Sequence, residues 1–169
     1  MRYSKVSRIQ FVFFLAVLAA LGWAVSTTVA AQPDLSGTWV LDKEKSDDPI
    51  AKIREAGGEP PPNPGFLAPE QLVIHQSGDK IEVEIGERKM SYVTDGQPRD
   101  REVGGGFTVQ VTAKWEGEQL RVSATSGSMK FETTYQLTGA EQLTVTRRME
   151  NPDFLSKPVE VRTVYRKRQ

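Results

Sequence analysis

Residues 107–124 read FTVQVTAKWEGEQLRVSA, and apolar and polar residues alternate along both halves of this stretch. A period of two residues places successive side chains on opposite faces of a β-strand. The apolar side chains of the first half share one face: Phe107, Val109, Val111, Ala113 and Trp115. Glu116-Gly117 has the composition of a tight turn, and the alternation resumes after it. The stretch therefore predicts an antiparallel hairpin with one apolar and one polar face.

The same alternation continues on both sides of this hairpin. From Glu70 to the C-terminus, short alternating segments are separated by turns that contain glycine, and residues 97–106 form a longer predicted loop. With an opening strand at residues 35–42, the pattern predicts about nine strands. Such short, closely spaced strands are typical of an all-β domain, either an antiparallel sandwich or a barrel.

One short helix is predicted between the first two strands. Ser46 can cap free N–H groups, Asp47 and Asp48 suit the positive end of the helix dipole, and Pro49 suits the first turn. Gly57-Gly58 is predicted to end the helix. The stretch that follows, residues 59–69, holds five of the ten prolines and predicts an extended surface segment.

The first 31 residues have the pattern of a secretory signal. Arg2, Lys5 and Arg8 precede the apolar run FVFFLAVLAALGWAV at residues 11–25, and small residues follow up to Ala31. The run has 15 residues, which is shorter than the ~20 that a spanning helix needs. We therefore predict cleavage after Ala30 or Ala31, a mature domain over residues 32–169 without a membrane span, and a periplasmic or extracellular location. An uncleaved membrane anchor is the alternative.

Composition excludes several function classes. Removing the first 31 residues takes away three basic and no acidic residues and leaves 19 basic against 22 acidic ones. A mildly acidic domain argues against a nucleic-acid partner, because such a partner selects for a basic surface. The chain has no cysteine, which excludes disulfides, a thiolate nucleophile and cysteine metal ligands.

Four short features resemble the calycin superfamily, the lipocalins and fatty-acid-binding proteins. They are the opening GTWVL (residues 37–41), the helix between the first two strands, the hairpin KWEGE (residues 114–118) and the ending VYRKR (residues 164–168). The opening is also similar to uncharacterised exported bacterial proteins that begin SGTWxLDxxKS, which matches Ser36 to Ser46. The resemblance implies an antiparallel up-and-down β-barrel of about eight to ten strands.

The resemblance also assigns structural roles. Gly37 and Trp39 would close one end of the barrel, and a basic residue of the last strand would lie across the indole ring. Arg162, Arg166 and Arg168 are candidates for that residue, and Arg166 is preferred. Fatty-acid-binding proteins carry an inward arginine two residues before the tyrosine of the last strand, but this chain has Thr163 before Tyr165. Since Arg162 falls on the opposite face, an uncharged apolar ligand, or none, is expected.

The leading hypothesis is a non-enzymatic barrel that binds a small apolar molecule. The predicted ligand-binding residues are Tyr92, Phe107, Val109, Val111, Trp115, Phe131, Thr133, Tyr135, Thr163 and Tyr165. The alternative is a filled barrel that serves as a cell-envelope interaction module, and the third hypothesis is an enzyme with polar groups in the cavity. His75 is the only histidine and Glu82 and Glu84 fall on a polar face, so we predict no catalytic residue, metal site or cofactor.

Overall fold

The computed structural model describes residues 32–61, 64–103 and 106–169, so the predicted signal segment lies outside the described residues. Ten strands form the domain: β1 (Gly37–Leu41), β2 (Gln71–Ser77), β3 (Lys80–Ile85), β4 (Arg88–Val93), β5 (Arg99–Glu102), β6 (Thr108–Glu116), β7 (Gln119–Ser126), β8 (Met129–Gly139), β9 (Gln142–Glu150) and β10 (Val159–Lys167). One α-helix, α1 (Pro49–Glu55), and the 3-10 turns Lys43–Lys45 and Pro64–Phe66 lie between β1 and β2. The predicted all-β class with one short helix between the first two strands is confirmed.

The strands form one antiparallel sheet in the order β4-β3-β2-β1-β10-β9-β8-β7-β6-β5. The first and last strands pair with each other, so β4 and β5 become the two edges. The sheet curls until β4 approaches β6, where Asp95 and Lys114 form an isolated bridge. There the Gly96 N–H donates to the Ala113 carbonyl at 2.9 Å. The predicted up-and-down barrel is therefore present, and within the described residues no strand pairing joins β4 to β5.

Strand β5 lies inside residues 97–106, where the sequence predicts a loop, and that part of the prediction is wrong. The strand reads RDRE, so it carries charge at every position and no apolar alternation. Among the described strands it pairs with β6 alone, and three of its four residues are exposed. An edge strand of this kind is held by backbone hydrogen bonds, which leave no periodic signal in the sequence.

The N-terminal cap of helix α1 is Asp48 rather than Ser46. The Asp48 carboxylate accepts from the N–H groups of Ile50 at 2.8 Å and Ala51 at 3.4 Å. The Ser46 hydroxyl instead donates to the Asp42 carbonyl at 2.7 Å and accepts from the Val164 N–H at 2.9 Å. Ser46 is thus tied to β10, and the aspartate nearer the first turn supplies the cap.

The interior contains two apolar clusters. The larger one includes Trp39, Leu72, Leu120 and Tyr165 and extends to Val109 and Tyr135 on the inward faces of β6 and β8. In the smaller one, Ile53 and Ala56 at the end of α1 pack with Leu67 against Val159 and Val161 of β10. The second part of the proline-rich stretch is therefore packed, because Leu67 is only 1% exposed. None of the helices in the described part of the chain has the length and apolar character to cross a membrane.

Candidate ligand-binding site

A cavity of about 1020 Å³ lies inside the curled sheet. This volume is at the upper end of the roughly 300–1,000 Å³ that small-ligand sites occupy. Gly65, Phe66 and the β3–β4 turn (residues 85–88) line it at one end. Because the strands alternate in direction, this turn lies at the same end of the barrel as α1. The cavity therefore opens beside α1, and Val109, Val111 and Tyr135 of the larger apolar cluster form part of its wall.

Six of the ten predicted ligand-binding residues line this cavity. They are Tyr92, Val109, Val111, Phe131, Thr133 and Tyr135. The apolar ones come from β6 and β8, whose inward faces follow the alternation that the sequence shows. That these residues contact a ligand stays a prediction.

The other four predicted residues lie elsewhere. Phe107 is 69% exposed, because β6 begins after it and leaves the ring at the rim, so its predicted inward orientation is wrong. Tyr165 is fully buried in the larger cluster, and Trp115 packs against the same cluster. Thr163 is also fully buried, and its hydroxyl is occupied by contacts within the barrel wall.

Arg147 is the site residue that the sequence analysis missed. It follows Leu143 and Val145 on the inward face of β9, lines the cavity, and is 4% exposed. Its Nη1 donates to the Leu67 carbonyl at 3.1 Å and to Thr163 Oγ1 at 3.3 Å. Its Nη2 is buried and has no hydrogen-bond partner in the part of the chain that the structure describes. The signal was available, because alternation with Leu143 and Val145 already predicts that Arg147 points inward.

Arg147 brings a positive charge to the wall of the cavity, which Glu70, Glu84 and Glu87 also line. None of the ion pairs among the described residues involves the Arg147 guanidinium. A buried cation without a partner is costly, and an anion that supplies hydrogen-bond acceptors removes that cost. The expectation of an uncharged ligand rested on the last strand alone. The structure adds an arginine on the neighbouring strand. The charge of the ligand stays a prediction.

Thr163 holds this arginine in place. Its hydroxyl donates to the Val145 carbonyl at 3.0 Å and accepts from Arg147 Nη1. Thr163, two residues before Tyr165, is thus not an arginine itself but orients the guanidinium of Arg147. A threonine is short enough to leave room for the guanidinium of β9 inside the barrel.

Two tyrosines complete the polar part of the wall. Burial raises the pKa of Tyr135 above its ordinary value, and the positive charge of Arg147 only partly opposes this. Burial also raises the pKa of Tyr92, against a smaller opposing effect of Arg101. Both phenols therefore stay neutral at neutral pH and keep a proton to donate. The Tyr92 hydroxyl donates to Met90 Sδ at 3.3 Å, a weak bond that an oxygen in the cavity could replace.

Arg101 bridges the two unpaired edges of the sheet. Its guanidinium lies 4.8 Å from the centroid of the Tyr92 ring and donates to the Ser91 carbonyl on β4. A second cavity of about 420 Å³ lies in this gap and shares Tyr92, Arg101 and Val111 with the larger cavity. The stacked pair thus separates the interior from the gap between β4 and β5.

At the opposite end, Lys167 rather than Arg166 covers Trp39. The Lys167 ammonium lies 5.4 Å from the centroid of the indole, and the indole N–H donates to the Leu35 carbonyl at 2.9 Å. Arg166 points to the outer face, where its Nη2 lies 2.8 Å from Asp42 Oδ2. Strand alternation explains the correction, because Trp39 pairs with Lys167 in the register of β1 and β10. Gly37 supports the contact, since a Cβ there would lie 2.7 Å from Lys167 Cε.

The other polar candidates do not converge. The side chain of His75 is 64% exposed and lies 3.9 Å from Glu84, while Glu82 and Glu84 both pair with Lys89 on the outer face. Across residues 32–61, 64–103 and 106–169, no group of three or more His, Cys, Asp or Glu side chains is placed to hold a metal ion.

Among the comparisons with known proteins, only the one with solved structures found similar proteins. A scan against protein-family models and a search of curated proteins each found no match. Among solved structures, the "REP1-NXSQ fatty acid transporter" is similar with a TM-score of 0.58 at 16% identity, over 80% of this chain and 97% of that one. "Human cRBP IV" is similar with a TM-score of 0.56 at 20% identity, over 80% and 99%.

A third similar structure is a "secretary abundant heat soluble (SAHS) protein from Ramazzottius varieornatus". Its TM-score is 0.57 at 12% identity, and the match covers 79% of this chain and 95% of that one. At such low identity the likeness shows the fold alone, and the chain spans nearly the whole length of each neighbour.

Proposed function

We propose that this protein is a non-enzymatic carrier that binds one small amphipathic molecule in the barrel interior, with an acidic group of the ligand at Arg147. The observation that carries the proposal is the guanidinium of Arg147, buried in a cavity of about 1020 Å³ with its Nη2 lacking a partner among the described residues. The apolar wall from β6 and β8 would receive the hydrocarbon part. Tyr92 and Tyr135 would orient further oxygens.

The free energies of the two kinds of contact favour a ligand that has both a hydrocarbon part and an acidic group. Each methylene buried against the apolar wall contributes about 0.8 kcal/mol. A hydrogen bond to a charged group contributes roughly 1.5–3 kcal/mol. The apolar part therefore supplies most of the affinity, and Arg147 supplies selection for the acid.

The names of the structural neighbours support the same ligand class. The similar structures include a fatty acid transporter, a fatty-acid-binding protein and a lipid binding protein. The cavity favours the carrier over the filled-barrel interaction module, because that alternative requires an interior without room for a ligand.

We further propose that the protein acts outside the cytoplasm, in the periplasm or beyond the cell, as a member of the exported bacterial group that opens SGTWxLDxxKS. The support is the signal pattern of residues 1–31 together with Ser36 to Ser46. The intact mass of the protein from its own host tests this proposal. A chain that has lost its first 30 or 31 residues is expected, and a full-length chain contradicts export by cleavage.

The ligand proposal is tested by calorimetric titration of the purified, delipidated protein with dodecanoic acid and with dodecanol at neutral pH. For Arg147→Gln we expect the affinity for the acid to fall roughly 10- to 100-fold, because a charge-assisted hydrogen bond is lost. The affinity of this variant for the alcohol should not fall, because the apolar wall is unchanged.

Arg148→Gln is the matched control. Arg148 is the next residue of the same strand, but it is exposed and its Nη2 pairs with Glu150 at 2.9 Å. It should bind both ligands like the unmodified protein. Equal loss in both variants, or an acid no tighter than the alcohol in the unmodified protein, contradicts the anchoring role of Arg147.

A further inference from the structure

The segment between α1 and β2, residues 64–70, forms part of the cavity mouth. We call it the mouth segment. Gly65, Phe66, Pro69 and Glu70 line the cavity, while Leu67 is buried against α1 and β10. The segment contains one 3-10 turn, in which the Leu67 N–H donates to the Pro64 carbonyl at 2.9 Å. A ligand that enters from this end must pass beside it.

The mouth segment is joined to the barrel wall through Arg147. The guanidinium Nη1 donates to the Leu67 carbonyl at 3.1 Å and to Thr163 Oγ1 at 3.3 Å. Nη1 carries two hydrogens, so these two bonds use both of them. The hydrogens of Nη2, on the same rigid plane, are the ones without a partner among the described residues.

We infer that the ligand acid and the mouth segment share this one guanidinium, so that binding of an acid fixes the mouth segment against the barrel. The inference rests on the proposed function. An acid at Nη2 leaves the Leu67 and Thr163 bonds in place and fixes the plane that makes them. An uncharged ligand of the same length fills the apolar wall but does not restrain that plane.

The coupling acts in both directions. If acid binding stabilises the contact between Arg147 and Leu67, then an ordered mouth segment must strengthen acid binding by the same factor. Thr163 is a positioning residue in this arrangement, because its hydroxyl fixes Nη1 relative to β9 and β10. Acidic cargo would therefore be retained behind an ordered mouth, and uncharged cargo would not.

The test is amide hydrogen exchange by NMR, with the Leu67 N–H as the reporter. The protein is saturated with dodecanoic acid or with dodecanol, and saturation is established beforehand by calorimetry. We expect the acid to slow exchange of the Leu67 amide about tenfold relative to the alcohol, which lies within the usual range of coupling between sites. The Ser156 amide, which donates to the Ala56 carbonyl at 3.0 Å, is the internal control and should respond equally to both ligands.

Two variants separate the contributions. Arg147→Gln should abolish the difference between acid and alcohol at Leu67. Thr163→Val keeps the guanidinium and should reduce the difference without removing it. If both ligands bind and slow exchange of the Leu67 amide equally, or if the acid accelerates that exchange, the inference that acid and mouth segment share the Arg147 guanidinium is wrong. The proposed carrier function is not affected by that result. If neither ligand binds, the proposed function fails as well.

Discussion

The ion pair between Asp42 and Arg166 joins the end of β1 to β10 on the outside of the barrel. The Asp42 side chain is only 2% exposed, and Arg166 Nε donates to its Oδ2 at 2.8 Å. This hydrogen bond holds the pKa of Asp42 below its ordinary value. The carboxylate therefore stabilises the fold above the ordinary aspartate pKa, and this contribution disappears as the pH falls through the lowered pKa.

Asp42→Asn is expected to lower the free energy of unfolding more at pH ~7 than at pH ~2, because the contribution of the carboxylate shrinks as the pH falls towards and through its lowered pKa. Urea unfolding at the two pH values measures the difference. Glu70→Gln is the control, because Glu70 makes a pair of the same length with Lys43 but is 81% exposed. An equal loss of stability at both pH values would show that Asp42 acts through packing rather than charge.

The sequence alone predicts the position of Arg147 but does not distinguish the positions of Arg166 and Lys167. Arg147 could have been placed inside the barrel from the alternation of β9, since it follows Val145 by two positions. Lys167 could not be distinguished from Arg166 as the partner of Trp39, because the choice depends on the register between β1 and β10. Register depends on pairing across the whole sheet and cannot be predicted from the sequence of either strand alone.

Helix α1 is the element that closes the mouth end of the barrel. Its main buried side chain is Ile53, which is 1% exposed and packs with Ala56 and Leu67 against β10. A helix of seven residues is too short to be stable without such packing. The apolar contact of Ile53 therefore holds both the helix and the mouth segment on the barrel.

Ile53→Ala should lower the free energy of unfolding by about 2–4 kcal/mol, through lost transfer energy and the cavity that remains. Ile50→Ala is the matched control in the first turn of the same helix, where the side chain is only half-buried, and it should cost less than about 1 kcal/mol. Chemical denaturation monitored by tryptophan fluorescence provides both values. Similar values for the two variants would contradict the packing role assigned to Ile53.

The elements show which signals a sequence carries. Strands with one apolar face, such as β6, are predictable because their alternation reflects burial on one side. The helix is predictable from Pro49 and the glycines that end it, but its cap is not, because Ser46 has a competing partner on β10. Strand β5 cannot be predicted from the sequence, because its pairing with β6 depends on the backbone and not on its charged side chains.

At the scale of the molecule, the sheet leaves two features that no single strand determines. One is the gap between β4 and β5, which Arg101 crosses by stacking on Tyr92. The other is the interior cavity, whose wall includes Arg147, Thr133 and Ala124. Alternation predicts which residues point inward, but whether they fill the interior depends on how far the sheet curls.

The measurement that tests the central claim most directly is native mass spectrometry of the protein purified from its own host without detergent, before and after organic extraction. We expect a reproducible added mass that extraction removes and that belongs to a small molecule with a hydrocarbon part and an acidic group. Protein that carries no added mass, and that takes up neither dodecanoic acid nor dodecanol when they are supplied, would contradict a carrier built around Arg147.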